Sequence, residues 1–84
     1  MTEDFIERRA HARHRVFKGG RLAFNSGSSV ECTVRNLSPG GARVDVTTPV
    51  ALPEQLTLLI EADHFRRSCH PVWTQATHIG VAFD

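Results

Sequence analysis

Residues 30–46, VECTVRNLSPGGARVDV, decide the predicted fold, because two segments with the period of β-strands flank a single turn. Apolar residues alternate with polar ones in both segments: Val30, Cys32 and Val34 before the turn, and Ala42, Val44 and Val46 after it. This alternation is typical of a strand that buries one of its faces. The intervening Leu37-Ser38-Pro39-Gly40-Gly41 contains the residues that favour a turn. The stretch therefore predicts two half-buried strands joined at the rim of a small β-structure.

The same pattern continues on both sides of these two strands. Four further segments have strand character: residues 16–24, 56–60, 65–73 and 79–83. Gly19-Gly20 indicates a bulge or bend in the first of them, and Pro71 an edge or bulge in the third. Six short strands without a convincing interior helix are typical of a small antiparallel barrel or sandwich. We favour an all-β, six-stranded antiparallel barrel, because closure removes exposed strand edges.

The composition is that of one soluble domain. Of the 84 residues, 40% are hydrophobic and 23% are charged, which argues against disorder. No apolar run approaches the roughly 18 residues of a membrane helix, and the acidic start lacks the positive charge of a signal peptide. We therefore expect a cytoplasmic protein without membrane insertion. Cys32 and Cys69 are too few for a disulfide scaffold or a Cys-rich zinc site, and we expect two buried thiols.

Positive charge is concentrated near the N-terminus, although the formal net charge is only +1. Six cations and no acid lie between residues 8 and 21: Arg8, Arg9, Arg13, Arg15, Lys18 and Arg21. Residues 1–15 lack strand alternation, so we expect a flexible basic arm or short helix there, with the barrel domain spanning 16–84. Arg presents a planar fork of donors that matches phosphate oxygens and the O6/N7 edge of guanine. A solvated basic terminus is the simpler interpretation of the arm taken alone.

The turn between the two central strands also has two interpretations, one purely structural and one functional. Asn36 and Ser38 stabilise turns by bonding to nearby backbone, and glycine permits close approach to the backbone. Those roles suffice for a turn without further function. The same Asn and Ser side chains are also suited to contact a nucleotide.

Considered together, the two segments resemble a known paired signature. Arg9-x-x-x-Arg13 precedes the first strand, and Asn36-x-Ser38-x-x-Gly41 joins two later ones, as in the PilZ domain family. The tail, Pro71-Val72-Trp73 followed by residues 79–84, is also similar to that family. The resemblance covers essentially the whole chain. It implies a six-stranded β-barrel that binds the bacterial second messenger cyclic di-GMP. Many relatives carry a C-terminal helix, but we expect none here, because this sequence stops at Asp84.

The resemblance also implies roles for individual residues. Arg9 and Arg13 would grip phosphates and guanine edges, and Arg8 would join them. An arginine at that place is associated with an intercalated ligand dimer. Asn36 and Ser38 would contact a guanine, although many relatives have Asp in place of Asn36.

Two further positions complete the implied site. Gly41 would let the ligand lie on the loop. Trp73 is an additional candidate that could pack against the ligand, although a lone Trp is more simply a core or surface anchor.

The function that these features predict is a cyclic di-GMP receptor without enzymatic activity. Ligand binding would order the arm across the barrel and present a new surface to a protein effector in trans. A ligand-independent PilZ-type interaction module and, less favoured, a single-stranded nucleic-acid binder remain alternatives. Ser38 lacks a Gly-x-Ser-x-Gly context for catalysis. We expect no cofactor and no metal, because arginines flank the His11–His14 pair and would repel a cation.

Overall fold

The computed structural model describes residues 14–84, which form a closed barrel of six antiparallel strands. The strands are β1 (His14–Phe24), β2 (Ser29–Ser38), β3 (Gly41–Asp45), β4 (Leu56–Ile60), β5 (Phe65–Gln75) and β6 (His78–Phe83). Their order around the barrel is β1-β2-β3-β6-β5-β4, and β4 pairs with β1 to close it. The predicted six-stranded antiparallel barrel is confirmed. The expected arm, with Arg8, Arg9 and Arg13, lies outside the described residues.

The interior of the barrel is filled by the apolar members of the alternating segments. The side chains that are almost completely buried include Leu22, Val34, Val44, Leu56, Leu58, Ile60 and Ile79. Each such side chain contributes about 1.5–3 kcal/mol on leaving water. Cys32 and Cys69 are also buried as free thiols, as predicted. Period-two alternation therefore located the core correctly.

Three bulges interrupt the strand pairing close to one another. In β1 the register with β2 shifts between Arg15 and Lys18, so the bulge lies at Val16 and Phe17. In β2 the register with β3 shifts at Arg35, and in β5 the register with β6 shifts at Val72. The bulge predicted beside Pro71 is thus confirmed.

The bulge predicted at Gly19-Gly20 is wrong, because both glycines pair in regular register with β2. Gly20 instead permits close packing. A Cβ there would lie 3.0 Å from the carbonyl oxygen of Leu59 and 3.1 Å from Cγ2 of Val34. The absence of a side chain at Gly20 therefore lets β4 and the Val34 side chain of β2 pack closely against β1.

Several element boundaries differ from the sequence-based expectation. β2 extends to Ser38 and β3 begins at Gly41, so the predicted turn of residues 37–41 is reduced to Pro39 and Gly40. β1 begins at His14, so His14 and Arg15 are strand residues, and β5 continues to Gln75. A short 3-10 helix, Glu61–Asp63, connects β4 to β5 and was not predicted. It ends at His64 in the left-handed conformation, with a φ of 54°. Within residues 14–84, no helix is long and apolar enough to cross a membrane.

Candidate ligand-binding site

The strand register places Asn36 within a row that crosses five strands. Asn36 is the Cα partner of Arg15 on β1 and of Arg43 on β3. Arg43 in turn pairs with Gly80 on β6, and Gly80 pairs with Trp73 on β5. Arg15, Asn36, Arg43 and Gly80 face outward, because at least one neighbouring position on each strand packs in or against the core, and Trp73 is itself 45% exposed. We call these five residues the outer row.

A cleft of about 410 Å³ opens on this side of the barrel. Four of the residues predicted to bind the ligand line it: Asn36, Ser38, Gly41 and Trp73. The structure therefore brings together the whole Asn-x-Ser-x-x-Gly segment and an aromatic residue 32 or more positions away in sequence. Ligand contact by these four residues remains a prediction.

Ser38 and Gly41 also have structural roles in the turn. They are Cα partners at the end of the β2–β3 ladder, and Ser38 Oγ donates a hydrogen bond to the Gly41 carbonyl at 3.3 Å. A Cβ on Gly41 would overlap the carbonyl oxygen of Val81 on β6. Gly41 is therefore required for the approach of two strands, independently of any ligand.

Trp73 is a surface residue and not part of the core. Its side chain is 45% exposed, and its indole ring lies over Gly80 on the neighbouring strand. A Cβ at Gly80 would overlap the pyrrole part of the ring. The bulge at Val72 brings Trp73 to this position, and bulges commonly re-aim side chains beside functional sites. The ring thus forms one wall of the cleft.

A comparison with protein-family models relates this geometry to known proteins. The model of the PilZ domain matches residues 7–84. The chain belongs to the PilZ domain family. PilZ domains form a family of cyclic di-GMP-binding modules that are generally not enzymes. A search of curated proteins found no match to the chain.

This PilZ domain carries three arginines beside Asn36 that the sequence analysis did not assign to the site. Arg15, Arg35 and Arg43 line a second depression of about 410 Å³ together with Asn36 and Val16. Asn36 and Arg43 border both this depression and the cleft. Arg43 occupies an ordinary polar position of an alternating strand, and only the register shows that it lies opposite Asn36.

Asp45 is the carboxylate that holds two of these arginines. Arg35 Nη1 lies 3.2 Å from Asp45 Oδ2, and Arg43 Nε lies 3.6 Å from Asp45 Oδ1. His78 Nδ1 lies 2.8 Å from Asp45 Oδ1. Burial pushes the pKa of Asp45 upward, but the hydrogen bond and charge of His78 and the charges of Arg43 and Arg35 together hold it below its ordinary value. Asp45 therefore stays ionised, and its carboxylate holds the guanidinium groups of Arg35 and Arg43 in position.

Apolar surface is also exposed beside Arg35 and in the wall of the cleft. Phe17, at the bulge of β1, is 78% exposed, and the guanidinium carbon of Arg35 lies 5.5 Å from the centre of its ring. Val72, at the bulge of β5, is 56% exposed. Within residues 14–84, His, Cys, Asp and Glu form no group of three that could hold a metal ion.

Proposed function

We propose that this PilZ domain is a cytoplasmic receptor for cyclic di-GMP that binds the ligand in the cleft between Asn36 and Trp73. The observation that carries the proposal is this juxtaposition of an amide, an aromatic ring and guanidinium groups on one open face. The ligand carries two guanines and two negative phosphates. The amide of Asn36 both donates and accepts hydrogen bonds, as a guanine edge requires. The Trp73 ring offers a stacking surface, which contributes about 1–3 kcal/mol per base in other nucleotide-binding proteins.

The arginine motif completes the site in this proposal. His14 is the Cα partner of Leu37, so the chain enters β1 directly beside the Asn36–Gly41 turn. Arg13 directly precedes His14 in the sequence and is therefore tethered near the cleft, with Arg9 four positions before it and Arg8 next to Arg9. These three arginines bind phosphate oxygens and guanine edges through charge-assisted hydrogen bonds.

Binding then changes the surface that the domain presents. The ligand draws the segment that carries the arginine motif onto the Asn36–Gly41 turn, which requires a higher ligand affinity for that arrangement. Exposed Phe17, which lies against Arg35 beside the site, supplies an apolar contact for a protein effector in trans. The liganded domain thus signals through a partner, and no catalytic step is involved.

Calorimetry on the full chain tests the ligand assignment. Cyclic di-GMP should bind, whereas cyclic di-AMP, with the same phosphates but adenine bases, should bind far more weakly. Arg13→Ala and Asn36→Ala should each weaken binding by roughly tenfold or more, since hydrogen bonds to charged or buried groups are worth about 1.5–3 kcal/mol. Thermal unfolding of both variants without ligand should stay close to the wild type. A wild-type chain that gives neither heat nor thermal shift with cyclic di-GMP at high micromolar concentration contradicts the proposal.

A further inference from the structure

The outer row places two arginines directly beside Asn36, outside the arginine motif. Arg15 and Arg43 are its Cα partners on the two neighbouring strands, and directly opposed residues of an antiparallel pair lie about 4.5–5.5 Å apart. Both guanidinium groups therefore originate within one side-chain length of Asn36. Arg35 joins them from the bulge in β2.

The three arginines enclose a concave surface. The depression that they line with Asn36 and Val16 has a volume of about 410 Å³ and shares Asn36 and Arg43 with the cleft beside Trp73. A ligand that occupies the cleft is thus within reach of this second depression. The side chains of Arg35 and Arg43 are 45% and 41% exposed, and Nε of Arg43 is buried without a hydrogen-bond partner among residues 14–84.

The positive charge of the depression and the fixed positions of its arginine side chains suit an anion. Arg15, Arg35 and Arg43 line the depression, and Asp45 is the carboxylate that contacts two of them, Arg35 and Arg43. These four residues together carry two positive charges in excess. Asp45 contacts Arg35 and Arg43 at once, and Arg35 also packs on the Phe17 ring. Side chains that are already held in place lose less conformational entropy when a ligand binds.

We propose that Arg15, Arg35 and Arg43 form a phosphate subsite on the barrel wall, which binds a phosphodiester group of cyclic di-GMP while a guanine lies between Asn36 and Trp73. This inference rests on the proposed function and adds residues that lie outside both sequence motifs. Arginine suits this role because its fork of donors bonds two phosphate oxygens at once. The barrel wall thereby contributes to affinity from the side opposite Trp73.

Calorimetric titration of the full chain with cyclic di-GMP at two salt concentrations tests the subsite. Arg43→Gln and Arg35→Gln should each weaken binding by roughly ten- to a hundredfold and make the affinity less dependent on salt. Arg43→Lys keeps the charge but not the fork, and its affinity should fall between those of Arg43→Gln and the wild type. The matched control is Arg66→Gln, which removes the same charge from the start of β5, opposite Leu59 on β4.

The outcomes distinguish a failure of the proposed phosphate subsite from a failure of the proposed cyclic di-GMP binding. Wild-type binding together with unchanged affinity in both folded Gln variants overturns the subsite alone. An equal loss in Arg66→Gln also overturns it, because the effect then reflects net charge and not position. A wild-type chain that does not bind cyclic di-GMP overturns the subsite and the proposed function together. Thermal unfolding without ligand establishes which variants are folded, and Arg35 at an exposed bulge provides a second variant if Arg43→Gln does not fold.

Discussion

The indole ring of Trp73 lies across Gly80, its Cα partner on the neighbouring strand, and occupies the space that a side chain at position 80 would fill. Gly80 is buried although it faces outward, because the ring covers it. One wall of the cleft is therefore set by the absence of a side chain on β6. The position of this aromatic surface residue therefore depends on a glycine between the core residues Ile79 and Val81, and not on burial of the ring itself.

Replacing Gly80 with Ala should move the Trp73 ring out of its position. The added methyl group overlaps the ring, and the exposed indole can rotate away, so we expect a loss of stability of only about 1 kcal/mol or less. Trp73 is the only tryptophan of the chain, so its fluorescence emission reports the displacement directly. Cyclic di-GMP affinity should fall in parallel.

Gly19→Ala is the matched control for that variant, because nothing lies within 4 Å of a Cβ at Gly19. Its emission spectrum and ligand affinity should equal those of the wild type. Unchanged emission in Gly80→Ala would show that the ring does not depend on Gly80.

Gly41→Ala should destabilise the folded domain more than Gly80→Ala does. Its Cβ overlaps the carbonyl oxygen of Val81, and this backbone group is held in the β3–β6 ladder and cannot rotate away. We expect a loss of about 1–3 kcal/mol in the free energy of unfolding, measured by urea denaturation. Gly19→Ala again serves as the control. A Gly41→Ala variant as stable as the wild type would leave ligand contact as the sole reason for this glycine.

The strands could be predicted from the sequence, but the register could not. Alternation identifies Val34 and Val44 as inward residues regardless of how their strands are paired. Placing Arg43 beside Asn36 requires the position of the Arg35 bulge, which shifts every later pairing by one residue. Gly19-Gly20 suggested a bulge because glycine is common there, yet the extra residue lies at Val16 and Phe17, where one side chain packs on the core and the next is exposed.

The candidate site divides in the same way. The resemblance to the PilZ signature predicted that Asn36, Ser38 and Gly41 belong to one site, and the structure places them along one cleft. The position of Arg43 beside them could not be predicted, since a polar residue in an alternating strand is normally only solvated. Its place opposite Asn36 follows only from the pairing of β3 with β2.

Acidification should destabilise the domain partly through Asp45. The pKa of Asp45 is lower in the folded chain than its ordinary value of 3.8, so its stabilising contribution is complete above that value and is lost as the pH falls through the folded-state pKa. Asp45→Asn removes the partner of His78, Arg43 and Arg35 and should cost about 1–2 kcal/mol at neutral pH. Thermal unfolding as a function of pH should therefore give a shallower acid slope for the variant. Parallel curves for the two proteins would contradict this assignment.

The two buried thiols should lower the stability at alkaline pH. Burial raises the pKa of Cys32 to about 11, with Arg21 opposing and Cys69 reinforcing the shift. Burial likewise raises the pKa of Cys69 to about 11, with the Asp84 carboxylate reinforcing it and a backbone hydrogen bond from Leu58 opposing it. Since the folded-state values exceed the ordinary value of 9.0, the stability is complete below about pH 9 and decreases as the pH rises toward 11.

Thiol reactivity and unfolding measurements check this behaviour together. At pH 8 the folded chain should react slowly with a thiol-specific reagent, because the thiolate is the nucleophile and both sulfurs are buried, whereas the urea-unfolded chain should react at the rate of a free cysteine. Each thiol changes the free energy of unfolding by at most about 1.4 kcal/mol per pH unit between the two pKa values. Cys69→Ala should therefore flatten the alkaline decrease relative to the wild type, after allowance for the cavity that it creates. Rapid modification of the folded chain at pH 8, at the rate of the unfolded one, would contradict the burial of these thiols, because opening of a stable barrel exposes them only rarely.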